Sequence, residues 1–224
     1  NELKKKRVKY LLLLAIAVVF FNACKKRNTP PSISLLGDEI IQLCIGDSFI
    51  DPGVSSVDAY DEDISGNIEI ISNLNNSSVG SYTVTYSSTD DNGNVSTIDR
   101  TVNVDVCVSN LLSSYTVSHD CQINLGFMTI DLIASDQSIA EGNSSNEIII
   151  QDFNQFIPEV IANVDGVNVT VPENTFSVGQ APLQISLTIS GTGIVSDTGD
   201  EIIINYAWDA GIIGSGTCVA AYNK

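Results

Sequence analysis

The chain has 224 residues, with 27 acidic and 10 basic side chains, a formal net charge of −17, one His and one Trp. That balance argues against nucleic-acid binding, which neutralises phosphates with Lys and Arg. Beyond residue 27 the only bases are Arg100 and Lys224, so the surface attracts cations and repels polyanions.

The first element is an apolar run from Leu11 to Phe21, preceded by Lys4, Lys5, Lys6, Arg7 and Lys9. A spanning helix needs about 20 apolar residues, and this run is shorter. It has the length and basic flank of a secretory signal. Its end, Phe21-Asn22-Ala23-Cys24, resembles the lipobox of bacterial lipoproteins. That resemblance implies removal of residues 1–23 and lipidation of Cys24. Phe21 and Asn22 depart from the commonest residues of that motif. Several acyl chains anchor stably, since each buried CH₂ contributes about 0.8 kcal/mol. The expected location is the cell envelope, as an outer-membrane lipoprotein held by its lipid, and the expected tether is 24–31, stiffened by Pro30-Pro31.

With Cys24 lipidated, four cysteines remain: Cys44, Cys107, Cys121 and Cys218. An even number in an exported chain implies two disulfides, and four cysteines allow three pairings. After the tether the chain is rich in Val, Ile, Thr and Tyr. Gly, Asn, Asp and Ser punctuate it every 8–12 residues or so, the pattern of an all-β protein. A break between two β domains is expected near 108–113, giving domains at 32–107 and 113–224.

The first domain alternates at Ser81-Tyr82-Thr83-Val84-Thr85-Tyr86, which puts Tyr82, Val84 and Tyr86 on one face. Tyr82 two residues before Val84 has the spacing of a tyrosine corner, with Val where antibody domains carry Cys. Asp91-Asn92-Gly93-Asn94 predicts a hairpin turn. The ordered set Gly46, Phe49, Asp51-Pro52-Gly53, Asp58, Asp61, Asp63, Gly80, Tyr82, Asp90, Gly93-Asn94 and Arg100 resembles the bacterial immunoglobulin-like domain first named from pesticidal crystal proteins. Glu62 stands where that family has Gly in an Asp-Gly-Asp turn. The resemblance implies a β-sandwich with its first and last strands side by side, and hence a Cys44–Cys107 bond.

The second domain reads as eight strands: 114–118, 127–134, 147–153, 159–164, 167–171, 183–190, 201–207 and 217–222. Asp165-Gly166 is the strongest hairpin signal. Eight sequential strands with short turns predict an antiparallel up-and-down barrel or sandwich. Closing a barrel brings its first and last strands together, which pairs Cys121 with Cys218. The region loosely resembles small C-terminal β domains of Bacteroidetes lipoproteins, with a lipocalin-like character.

Two places invite chemistry. Asp58, Asp61, Glu62 and Asp63 crowd one loop, and Asp90 and Asp91 another. Carboxylates are Ca²⁺ ligands, so Asp58, Asp61, Asp63 and Asp90 are the candidate calcium set, with a solvated acidic loop as the alternative. The barrel either holds a small apolar ligand or is filled by its own side chains, with Phe127, Phe153, Phe156, Phe176 and Trp208 as core or rim. No catalytic residue is expected. His119 reads as a surface residue in a turn beside Asp120, and no Gly-x-Ser-x-Gly stretch is present. The function expected is a lipid-anchored binding, adhesion or spacer protein without enzymatic activity, its partner a glycan or an envelope protein. The alternatives are a lipocalin-like carrier of an apolar ligand and a polysaccharide hydrolase.

Overall fold

The structure is a computed structural model that describes residues 28–124, 129–155, 157–179 and 184–224. The signal segment 1–23 and Cys24 lie outside the described residues. The chain divides into two compact units. One comprises the stretches through Glu39, Pro52–Ile71 and Val84–Arg100. The other comprises Ile40–Asp51, Ser72–Thr83 and Thr101–Lys224.

Six strands form the immunoglobulin-like part: β1 (Ser32–Leu35), β2 (Ile40–Cys44), β3 (Val54–Val57), β4 (Ile68–Ser72), β5 (Gly80–Thr89) and β6 (Val95–Asp105). β1 pairs with β3, and the other four form a sheet in the order β2-β6-β5-β4. β2 runs parallel to β6, with Cys44 opposite Asp105. That register brings Cys44 to Cys107, and the two are bonded with Cα atoms 5.4 Å apart. On β5, Val84 and Tyr86 are buried, as the alternation predicts. The Tyr82 hydroxyl donates to Ser78 O at 2.9 Å, which is the tyrosine corner. The turn at 91–94 forms, with Gly93 at φ 80° and Gly93 N donating to Asp90 O.

The core of the first unit is organised by a cation. Arg100 is fully buried. Its guanidinium donates to Leu36 O at 2.8 Å, Gly53 O at 2.9 Å and Asp38 O, and its Nε to the Tyr86 hydroxyl at 3.2 Å. Two chain crossings near Gly37 and Pro52-Gly53 are thereby pinned to β6. Gly37 has φ 74°, and a Cβ there would meet the Pro52 ring at 3.1 Å. The Asp-Pro-Gly stretch therefore shapes the backbone whose carbonyl Arg100 holds.

A one-turn helix, α1 (Val108–Leu111), follows. The Asn110 side chain accepts from Cys107 N and donates to Ile45 O. The remaining strands are β7 (Ser114–His119), β8 (Gln122–Asn124), β9 (Thr129–Asp131), β10 (Ser135–Glu141), β11 (Glu147–Gln151), β12 (Glu159–Asp165), β13 (Asn168–Val178), β14 (Ile185–Val195), β15 (Glu201–Asp209) and β16 (Ser215–Asn223). β10 to β16 follow one another around a closed antiparallel barrel, and β7 completes it between β16 and β10.

Two elements differ from the sequence reading. The strand expected over 127–134 is not a barrel strand. Residues 125–128 lie outside the described set, and β9 pairs only with β8 in a separate hairpin. The barrel strand is β10 instead. Its sequence SDQSIAE hides its period, because one inward position is Gln137, 2% exposed. Gln137 is tolerated inside because its amide oxygen accepts from the Tyr222 hydroxyl at 3.1 Å. The second difference is β13, which runs past Val171 to Val178. Pro172 lacks a donor and sits at a register shift between Val171 and Asn174. The extra residues form a bulge and the ladder resumes.

The lumen is filled by the chain itself. Ile148, Ile150, Val160, Ile189, Ile202 and Tyr222 are buried within one continuous cluster. Each such side chain contributes about 1.5–3 kcal/mol on removal from water. Phe153 and Trp208 belong to the same cluster, and Phe176 packs against it; Phe127 and Phe156 lie outside the described residues. The outward positions of β14 and β15 include Thr188, Thr192, Glu201, Asn205 and Asp209. A barrel that crosses a membrane presents an apolar band outward; on β14 and β15 the outward positions are mostly polar, with Ile194 and Ile203 as an exposed apolar pair.

β14 wraps closely because two of its residues are glycine. A Cβ on Gly191 would stand 2.5 Å from Asn205 O, and one on Gly193 2.6 Å from Ile203 O. Both obstacles are backbone, so neither moves aside cheaply. Gly191→Ala is expected to destabilise the chain by about 1–3 kcal/mol, read as a lower midpoint in urea with Trp208 fluorescence. An unchanged midpoint would mean that β14 does not approach β15 this closely.

Candidate functional site

Of the expected calcium carboxylates, Asp58, Asp63 and Asp90 accept hydrogen bonds from nearby backbone amides. Asp58 Oδ1 accepts from Tyr60 N at 2.8 Å and Glu62 N at 2.9 Å. The left-handed position of this turn is Asp61, at φ 63°. Asp63 Oδ1 accepts from Ser65 N, and the hydrogen bonds from Ser65, its side chain first, hold the Asp63 carboxyl below the usual range. Asp90 Oδ1 accepts from Asn92 N and Asn94 N, and Oδ2 from the Asn94 amide. The Asn94 side chain is the main reason its carboxyl is also lowered. Asp58, Asp61, Asp63 and Asp90 thus shape two turns. Among the described residues no group of three or more His, Cys, Asp or Glu is placed to hold a metal ion.

Inside the barrel a polar chain links His119 to side chains that the sequence reading did not single out. His119 is not in a turn: it ends β7 and is half-buried. Its Nδ1 lies 3.1 Å from the Tyr206 hydroxyl, and its Nε2 3.5 Å from the Gln137 amide nitrogen. Since the Gln137 oxygen already accepts from Tyr222, its nitrogen faces His119 and can only donate. That assigns the proton of the neutral imidazole to Nδ1. A turn between β11 and β12 closes over this group, with Asp152 and Asn154 both at positive φ. It seats the Phe153 ring 5.1 Å from that of Tyr206 and 6.0 Å from that of His119. Asn154 is 2% exposed, and its Oδ1 has no hydrogen-bond partner among the described residues. Burial pushes the Tyr206 hydroxyl up to about 12, so it stays protonated.

Burial also lowers the pKa of His119, against a smaller upward pull from Asp120. The folded state therefore resists protonation that the unfolded chain accepts at about 6.5. Stability contributed by this site is complete above 6.5 and is lost as pH falls below it towards the folded pKa. His119 is the only His in the chain, so denaturation midpoints should decline from pH 7 to 5 in the natural protein. They should be flat over that interval in His119→Gln. Parallel profiles for the two proteins would refute the buried imidazole. The groups around His119 are phenol, amide and phenyl, with no Ser, Thr or Cys bonded to it among the described residues. This constellation closes one end of a barrel.

The outer wall carries a concavity. Across β14, β15 and β16, Asp120, Ser190, Thr192, Asn205, Ala207, Thr217 and Val219 help to line a hollow of about 530 Å³. A second, of about 280 Å³, continues from Asn205 to Ile194, Ile203 and Glu201. Asp120 is fixed at the edge by a two-way clasp, its N donating to Val219 O and its Oδ1 accepting from Val219 N at 2.7 Å. Beside it, Cys121 is bonded to Cys218, with Cα atoms 5.2 Å apart.

Fold and surface together define an all-β protein with an immunoglobulin-like part and a closed, filled barrel. Residues 33–104 match the family described as bacterial surface protein, Ig-like domain. No curated protein matches the chain. Among solved structures, it is similar to a lipoprotein from Bacteroides thetaiotaomicron at 18% identity and a TM-score of 0.35, covering 86% of this chain and all of that one. It is also similar to the CBM51-2 and INT domains of Clostridium perfringens ZmpB in complex with GlcNAc. There the identity is 15% and the TM-score 0.29, over 86% of this chain and 43% of that one.

Proposed function

We propose that this chain is a lipid-anchored binding protein of the bacterial cell envelope, without catalytic activity. In this reading Cys24 carries the lipid, 24–31 is the tether, the immunoglobulin-like domain is the spacer, and the barrel meets the partner. The observation that carries it is the surface-type Ig-like domain at 33–104, in a chain whose first 24 residues have the pattern of a lipoprotein signal. The filled lumen supports binding on the barrel's outside and weighs against the carrier alternative. Loops and walls of rigid β scaffolds are where such binding is commonly built.

The test is metabolic labelling with an alkynyl fatty acid in a bacterial host. The full chain should label and sediment with membranes, and Cys24→Ser should do neither. Unlabelled chain released into the soluble fraction would overturn the anchor.

A further inference from the structure

On the barrel's outer wall some polar side chains pair across strands: Ser138 donates to Gln151 at 2.7 Å, and Thr175 and Thr188 share a bond of 3.1 Å. Thr192 and Asn205 stand directly opposite on β14 and β15, and with Ser190 and Thr217 they line the 530 Å³ hollow. Four neutral groups that can hydrogen-bond therefore face one concave wall. Ala207 and Val219 give that wall small apolar ground. At its far end the cross-strand pair Ile194 and Ile203 is 62% and 40% exposed.

Three physical limits narrow what fits. The strands beneath the hollow are paired on both sides within the closed barrel, so a partner cannot add a strand and must be read by side chains. The charge at the two ends is Asp120 and Glu201. The bases of the described chain are Arg100, which is buried, and Lys224, which is engaged by Asn110 O, Gly199 O and Asp200. A phosphate, sulfate or uronate would therefore meet carboxylates and no available cation among the described residues. Finally, hydroxyls and an amide recur at the strand spacing of about 4.8 Å, between low apolar patches. Such groups both donate and accept, as sugar hydroxyls do, and sugar rings also have apolar faces to rest on Ala207, Val219 and the isoleucine pair.

We propose that this trough binds an uncharged oligosaccharide chain. The proposal rests on the reading of the barrel as the partner-binding part of an envelope protein. Its test is calorimetric titration of the purified chain, as Cys24→Ser, with cellotetraose, maltotetraose, mannotetraose and chitotetraose, and with tetragalacturonate as the charged probe. At least one neutral tetrasaccharide should bind and tetragalacturonate should not. Thr192→Val with Asn205→Leu should weaken binding about tenfold or more, while Thr175→Val, outside the trough, leaves it unchanged. Absence of binding by all four neutral sugars, equal binding of tetragalacturonate, or indifference to the double variant would each overturn the proposal. None of these outcomes alters acylation at Cys24 or sedimentation with membranes, so failure of the trough is distinct from failure of the anchored reading.

Discussion

Arg100→Met should destabilise the immunoglobulin-like part by about 3–5 kcal/mol, because it removes several charge-assisted hydrogen bonds at once. The side chain is fully buried, and its donors go to Leu36 O, Asp38 O, Gly53 O and the Tyr86 hydroxyl. Methionine fills similar volume but removes the donors to all of these acceptors, and a hydrogen bond from a charged group contributes about 1.5–3 kcal/mol. Arg100→Lys keeps the charge and loses the planar fork that reaches several carbonyls at once. It should fall between the natural protein and Arg100→Met. Tyr86→Phe, which removes one acceptor and keeps the ring, should cost only about 1 kcal/mol. Denaturation followed by tyrosine fluorescence and circular dichroism measures all three. Equal stability of Arg100→Met and the natural chain would show that the carbonyls are satisfied without the guanidinium.

Removing the Cys121–Cys218 bond is the second large effect. The two residues are separated by 97 positions, and the chain-entropy model gives about 4–5 kcal/mol for a loop of that size. The location adds to the argument. β7 and β16 form the seam that closes the barrel, and their register covers only four pairs, from Ala220 opposite His119 to Asn223 opposite Thr116. Beyond His119 the seam is held by the Asp120 clasp and then by the disulfide. Cys121→Ala with Cys218→Ala should lower the thermal midpoint and speed hydrogen exchange in β7 and β16 first. In the Cys44–Cys107 bond, separated by 63 positions, the comparable model loss is about 4 kcal/mol, and it joins strands that already share five parallel pairs. Exchange that rises evenly over all barrel strands would contradict a weak seam.

Much of the fold was legible because alternation and turn chemistry agreed with it. Tyr82, Val84 and Tyr86 read as one face, and Asp165-Gly166 read as a turn; Gly166 has φ 55°. What was hidden had physical cause. β10 buries Gln137 where a hydrophobic period needs an apolar residue, because Tyr222 satisfies its amide across the barrel. β13 continues through Pro172 by a bulge that no local pattern announces. Arg100 stood in the motif as one conserved-looking letter of a pattern, but its four acceptors come from segments far apart in sequence. The trough was not legible either. Its residues are ordinary outward Ser, Thr and Asn, and only the register of β14, β15 and β16 brings them together. The acidic loops were visible as composition, but the acceptance of nearby backbone amides by Asp58, Asp63 and Asp90 was not.

The measurement that tests most directly whether binding lies outside a filled barrel is native mass spectrometry of the Cys24→Ser chain, purified gently from a bacterial host. The account predicts the mass of the polypeptide with two disulfides and no retained apolar molecule. A reproducible extra mass, released on denaturation as an apolar compound, would contradict it and make the lumen a carrier's cavity.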